Sequence, residues 1–168
     1  IVFGDWSSDV CSSDLEGKTP LRHLVQARAS MDALKLAISA GANPSSRDRY
    51  ADTPLHAAIQ QKDMDTAALL LSSGADPFAP NYQGLSPIAL VLAENSEPTL
   101  RNFVGAAGLE TKDSMGEGFL HYAVRAGKAD AVKILLSLGA NKAARNNAGE
   151  TAKDVAVAKG MGAIQAMF

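Results

Sequence analysis

The chain is short of the features that flag most function classes. It has one cysteine in 168 residues, so no disulfide closes within it. Lys and Arg number 16 against 18 Asp and Glu, a net charge of −2, which supplies no global basic field for nucleic acid. Aromatic residues are only 5% of the chain, and Lys128, Lys133 and Lys142 run through its last part without the aromatic interleaving of a nucleic-acid face. No apolar run approaches the ~20 residues that cross a bilayer, so a membrane-inserted helix is excluded. No phosphate-binding G-x-x-x-x-G-K-[ST] loop and no Gly-x-Ser-x-Gly nucleophile elbow occurs.

What the chain does have is a repeat. Thr19-Pro20-Leu21, Thr53-Pro54-Leu55, Ser86-Pro87-Ile88, Gly118-Phe119-Leu120 and Thr151-Ala152-Lys153 fall 34, 33, 32 and 33 residues apart. A second landmark, Gly41, Gly74, Gly108 and Gly139, keeps the same period. Thr or Ser before Pro supplies a helix N-cap, and Pro in the first helical position costs no hydrogen bond. Glycine after an apolar helix accepts the left-handed backbone that ends it. Each unit is therefore predicted to start one helix at its Thr or Ser and to stop a second at its Gly. An isolated unit cannot bury its apolar face, so neighbours must stack.

Thr53-Pro54-Leu55-His56-Ala57-Ala58, closed by Gly74-Ala75-Asp76-Pro77, resembles the ankyrin repeat family, with its period of about 33 residues. The fourth unit keeps Leu120-His121-Tyr122-Ala123. The first has Arg22 in the histidine slot and the third has Ala89. The resemblance covers residues 16–168, in units 16–43, 53–76, 86–110, 118–141 and 151–168. It implies an all-α solenoid of about five helix-turn-helix units with β-hairpin-like finger loops. It also implies a non-catalytic protein–protein interaction module that takes no cofactor and no metal, and a monomer. His56 and His121 are then structural, bonded to backbone and to the motif Thr. They stand two repeats apart, roughly 20 Å, too far to share one metal.

Residues 1–15 lie outside this register. Asp5-Trp6-Ser7-Ser8-Asp9-Val10-Cys11-Ser12-Ser13-Asp14-Leu15 resembles a translated sequencing adapter, and a disordered polar leader is the other reading. The segment lacks the basic start and apolar centre of a secretory signal. Neither Trp6 nor Cys11 is given a role. The native N-terminus is expected to be missing, which leaves a cytoplasmic location as a default only.

The helices are read as Leu21, Leu24 and Val25 with Leu34, Leu36, Ala37 and Ile38 in unit one. Leu55, Ala58 and Ile59 with Ala67 to Leu71 form unit two, and Leu120, Ala123 and Val124 with Ala131 to Leu136 form unit four. Unit three is the weak one. Gly105 occupies the slot of Ile38, Leu71 and Leu136, and its missing side chain is expected to cost stability. Ten residues separate Gly108 from the next start, against 12 elsewhere, which predicts a shortened finger and a softer joint before unit four. Ile164, Met167 and Phe168 end the chain apolar, so the last helix is expected either to turn them inward or to have been covered.

The surface is left to carry function. Tyr50 and Tyr82 fall at finger tips, read as equivalent places one repeat apart, with Arg47, Arg49 and Gln83 beside them and Met115 close to the next such slot. Tyr and Arg are enriched at interface centres. Gln60, Gln61 and Arg125 are expected on the concave helix face near the tips. The competing reading is that the tyrosines only pack on adjacent fingers. The competing function is a regulatory or targeting arm of a longer enzyme, channel or bacterial effector whose catalytic part is missing.

Overall fold

The computed structural model describes residues 19–168. The adapter-like stretch and the boundary drawn at residue 15 lie outside them. The described residues form ten helices in five successive pairs: α1 Pro20–Gln26 with α2 Met31–Ser39, α3 Pro54–Gln60 with α4 Met64–Ser72, α5 Pro87–Glu94 with α6 Glu97–Ala107, α7 Phe119–Arg125 with α8 Ala129–Ser137, and α9 Ala152–Ala158 with α10 Gly162–Gln165. Among them there is no sheet, only isolated bridges Lys112↔Gly118 and Arg145↔Thr151 at the base of two fingers. The fold is all-α, as the repeat pattern required.

The helices begin and end where short polar residues and glycine dictate. The Thr19 hydroxyl accepts Arg22 N–H at 3.4 Å, Ser30 accepts Ala33 N–H at 3.3 Å, and Asp63 accepts Thr66 N–H at 3.0 Å. Each satisfies a donor that the helix cannot. Two residues past the end of α2, α4 and α8 the chain turns through Gly41, Gly74 and Gly139 at φ of 95°, 91° and 91°.

The chain divides into two compact units, up to Leu90 and from Val91, with the division inside α5. In the first, α1 packs on α2, α3 on α4, and α1 on α3. Leu21, Val25, Leu34, Leu55 and Leu70 are buried between them, with Ala58 and Ala67, which leave no surface exposed. Each such leucine contributes about 1.5–3 kcal/mol relative to exposure. Leu36 departs from the expectation. It is 58% exposed, because two residues on from buried Leu34 and one short of Ala37 the helix already faces water.

In the second unit α7 packs on α8 and α9, α6 on α8, and α9 on α10. Phe119 stands where the first three starts have proline and sits edge-on to Phe103, with centroids 6.1 Å apart. Both rings are buried. Ile164 is also buried and Met167 and Phe168 are half-buried, so the last helix turns its apolar side inward.

Unit three differs from the expectation in two ways. Gly105 is exposed, and a Cβ placed on it would meet nothing within 4 Å. In the same slot Ile38 and Leu136 are half-buried and only Leu71 is buried, so the slot is a core position in the second repeat alone. The finger before unit four is not truncated at its tip. Five residues separate Asp113 from Gly118, as Asp48 from Thr53. The two missing residues come from the lead-in: five from Gly108 to Asp113, against seven from Gly74 to Asn81.

Candidate partner-binding surface

Each finger tip is built around one Asp or Asn. Asp48 Oδ1 accepts the N–H groups of Tyr50 and Asp52 at 2.8 and 2.9 Å. Asn81 does so for Gln83 and Leu85, both at 3.0 Å. Asp113 holds Met115 and Glu117, both at 2.8 Å, and Asn146 holds Ala148 and Glu150 at 3.0 and 2.9 Å. The same residue's N–H bonds the carbonyl four residues on, at 2.9 to 3.0 Å. The residue three on, Ala51, Gly84, Gly116 or Gly149, is left-handed, with φ between 60° and 80°. One short polar side chain thus fixes five residues of backbone.

Fingers are also tied to neighbours through backbone. Tyr82 N–H bonds the Tyr50 carbonyl at 3.0 Å, and Asn147 N–H bonds the Met115 carbonyl at 2.8 Å. Arg47 reaches the Pro80 carbonyl at 3.2 Å, and Lys112 the Arg145 carbonyl at 3.1 Å, the same strut two repeats later.

The slot four residues into each motif binds finger to helix. The His56 ring accepts Thr53 N–H on Nδ1 at 3.1 Å, with the Thr53 hydroxyl at 2.9 Å, and Nε2 donates to the Leu85 carbonyl at 3.0 Å. A backbone N–H can only donate and a carbonyl only accept, so the neutral Nε2–H tautomer is imposed. Burial pushes the His56 pKa below its ordinary value. His121 repeats the arrangement with Gly118 N–H at 3.4 Å and the Glu150 carbonyl at 3.2 Å. Both rings are buried and structural, with no metal or general-base geometry. Arg22 solves the same problem by charge. Buried, it pairs with buried Asp48 and, at 3.4 Å, with Asp52. In the last unit Asp154 takes the slot and caps its own helix from Thr151 N–H at 2.8 Å.

On this frame the predicted surface residues separate. Arg47, Arg49, Tyr50, Tyr82 and Gln83 come together on the first two tips and all are exposed. Tyr50 is 53% and Tyr82 81% exposed, and the Arg49 guanidinium lies 4.9 Å from the Tyr50 ring centre. The two tyrosines are not equivalent. Counted from Asp48 and Asn81, Tyr50 matches Gln83 and Met115, whereas Tyr82 matches Arg49. They meet because the cross-finger bond joins Tyr82 to Tyr50. Met115, 65% exposed, is on a tip of the other unit. Gln60 and Gln61 are not near a tip. They close the far end of α3, about 10 Å of helix rise from its start. Gln61 there bonds the Gln26 carbonyl at 3.3 Å. Arg125 ends α7 but folds back onto Glu117, at 2.8 Å, which holds its pKa above the ordinary value.

Neither a metal cluster nor a helix long and apolar enough to cross a membrane occurs among the described residues. A groove of about 470 Å³ in the second unit is lined by Leu100, Ile134 and two self-neutralising pairs, Arg101–Glu97 and Lys133–Asp130. It concentrates no charge on a ligand. The asparagine and aspartate frame was missed in the sequence, although Asp48, Asn81, Asp113 and Asn146 each stand five residues before a helix start.

A family model described as ankyrin repeats (3 copies) matches residues 4–81, and an ankyrin repeat model matches residues 116–147. The chain belongs to the ankyrin repeat family. Ankyrin repeats form all-α solenoids and act as protein–protein interaction modules, generally without catalysis. The Cricetulus griseus and Homo sapiens neurogenic locus notch homolog protein 1 are 33% and 32% identical to this chain over 141 residues, covering 83% of it and 6% of each relative. The putative palmitoyltransferase ZDHHC13 of Danio rerio is 34% identical over 119 residues, 69% of the chain and 18% of the relative. The ankyrin chain thus spans a small fraction of the curated relatives it matches.

Proposed function

We propose that this chain is a non-catalytic binding module that holds another protein on its first two finger tips, through Arg47, Arg49, Tyr50, Tyr82 and Gln83. The supporting observation is that Tyr82 is 81% exposed on a tip whose backbone is locked by Asn81 and by the Tyr50 carbonyl. A rigid tip has no structural need of an aromatic ring in water. With the backbone beneath it already fixed, binding has only the two side-chain torsions of the ring to order. Met115 and Arg125 belong to the other unit and are proposed as contact residues there in their own right. Gln60 and Gln61, at the far end of α3, are secondary. Binding as a monomer, without nucleic acid, is part of the reading.

Tyr50→Ala with Tyr82→Ala is expected to weaken partner binding about ten-fold or more while costing under about 1 kcal/mol of stability. A loss of stability with affinity intact would assign the rings to packing. A second reading is that the module is the regulatory or targeting arm of a longer protein. The small share it covers of its relatives favours this. Sequencing on both sides of the gene decides it: a catalytic domain in the same frame supports the arm, and stop codons flanking the repeats refute it.

A further inference from the structure

We propose that Asn81 is a positioning residue for partner binding: its side-chain amide locks the second tip to the first, so that Tyr50 and Tyr82 meet one continuous segment of another protein at a fixed spacing. The proposal rests on the tip-binding reading above. Asn81 works with both ends of its amide. Oδ1 accepts the N–H groups of Gln83 and Leu85 and braces its own finger. A backbone N–H can only donate, so the other end is the NH2 group. That group donates to Asp52 Oδ1, at the end of the preceding finger, at 2.8 Å. Asp52 is held in turn by buried Arg22, which meets its Oδ2 at 3.4 Å. Arg22 also pairs with Asp48, the brace of the first finger. One guanidinium thus reaches both tips, one directly and the other through Asp52.

The other unit repeats the device. Glu117 stands four residues after Asp113, as Asp52 does after Asp48. Its carboxylate accepts Asn146 Nδ2 at 3.3 Å and Arg125 Nε–H at 2.8 Å. In each unit an Asp-braced finger is followed by an Asn-braced one, and a carboxylate held by an arginine joins the two. An aspartate would brace the second finger equally well, as Asp48 and Asp113 brace theirs. It could not donate to Asp52, so the asparagine has a task beyond its own loop. Asn146 shares its amide with Glu150 of its own finger at 3.1 Å, whereas Leu85, in that place after Asn81, offers no side-chain acceptor. The first pair is also the one that carries two tyrosines. Their fingers meet in a single backbone bond, Tyr82 N–H to the Tyr50 carbonyl. Without the Asn81–Asp52 bond they keep that contact and the exposed Arg47 strut, about which the second tip can turn. A segment lying on both rings would then have to restore their spacing as it bound, at a cost in affinity.

The test takes a linear peptide selected from a random displayed library on the full chain and titrates it by fluorescence against variants. The peptide is expected to lose about ten-fold in affinity with Tyr50→Ala, with Tyr82→Ala and with Asn81→Asp. Asn81→Asp keeps its own brace, so the melting temperature should move by only about 2–4 °C. Amide exchange should quicken at Tyr82 and not at Gln83 or Leu85. Adding Asp52→Asn returns a donor to the link from the other side and should bring affinity back to within about three-fold of wild type. Asp52→Ala cuts the same bond without setting two carboxylates face to face, and decides the matter if Asn81→Asp fails to fold. Affinity untouched by Asn81→Asp and Asp52→Ala but lost with Tyr82→Ala would overturn the positioning role and leave the tips as the binding surface. So would affinity and melting temperature falling together with no rescue by Asp52→Asn, which is the pattern of a merely structural residue. A peptide that needs one ring and ignores the other would overturn the bridging segment. Peptides indifferent to both tyrosines, or none enriched at all, would sink the tip-binding reading and this proposal with it.

Discussion

Replacing His56 by alanine removes the pin between a helix start and the neighbouring finger, and its cost can be worked from the bonds. The ring is fully buried, so its deletion leaves a cavity. Thr53, 1% exposed, loses the acceptor of its N–H, which is an orphaned buried donor costing about 1–3 kcal/mol. The bond to Leu85 adds about 1 kcal/mol, and no more, because that carbonyl keeps Asn81 N–H at 2.9 Å. With incomplete collapse of the cavity the total is about 3–5 kcal/mol. His56→Asn should recover roughly half, since its amide oxygen can accept Thr53 N–H as Asp154 does from Thr151. Urea unfolding followed by circular dichroism measures both. A loss below about 1 kcal/mol for alanine, or an asparagine variant as unstable as alanine, would refute the reasoning.

The same ring sets a pH dependence. Burial holds its folded pKa below the ordinary 6.5, so below pH 6.5 the unfolded chain takes up a proton that the folded chain refuses. This contribution is complete above 6.5 and is lost as pH falls from there toward the depressed folded value. The wild-type stability should therefore drop over that window more than that of His56→Asn. Equal slopes would contradict the imposed tautomer.

Gly105→Ala should stabilise by up to about 1 kcal/mol, because the added methyl meets nothing and only the helical propensity changes; a lower urea midpoint would show that the slot is packed after all. Gly116→Ala should cost clearly more than Gly84→Ala, although both are left-handed at φ of 74° and 75°. The Gly116 methyl alone would lie 2.6 Å from Asn147 Oδ1 and 3.0 Å from its backbone nitrogen, and thermal melts of the pair isolate that clash from the shared strain. Asp48→Ala leaves the buried guanidinium of Arg22 with only its 3.4 Å contact to Asp52 and unlocks the first tip, an expected loss of about 3 kcal/mol in urea titration, with faster hydrogen exchange at Tyr50 and Asp52. A neutral result there would mean that the tip is held by its neighbour and not by its own side chain.

The helix pairs were legible because two landmarks kept one period, and because leucines such as Leu55 and Leu135 had no other way to leave water. Three things were not. The exposure of Leu36 and Gly105 depends on which way helix two of each pair is turned about its own axis, and hydrophobicity alone does not report that. The tip geometry was written in the sequence as Asp48, Asn81, Asp113 and Asn146, but a short polar residue in a loop draws no notice until its bonds are seen. The offset between Tyr50 and Tyr82 followed from counting one ring to the other instead of counting each to its own helix start. The role of Arg22 was hidden because an arginine and a histidine share no chemistry except the reach to a finger.

Because each loop carries its own internal brace, and Tyr50 and Tyr82 meet across neighbouring loops through main-chain atoms, the side chains at those crests can be exchanged without disturbing the shape that presents them. A lineage could re-address such a protein to a new target by point changes at residues 49, 50, 82 and 83, leaving the helical body as it stands.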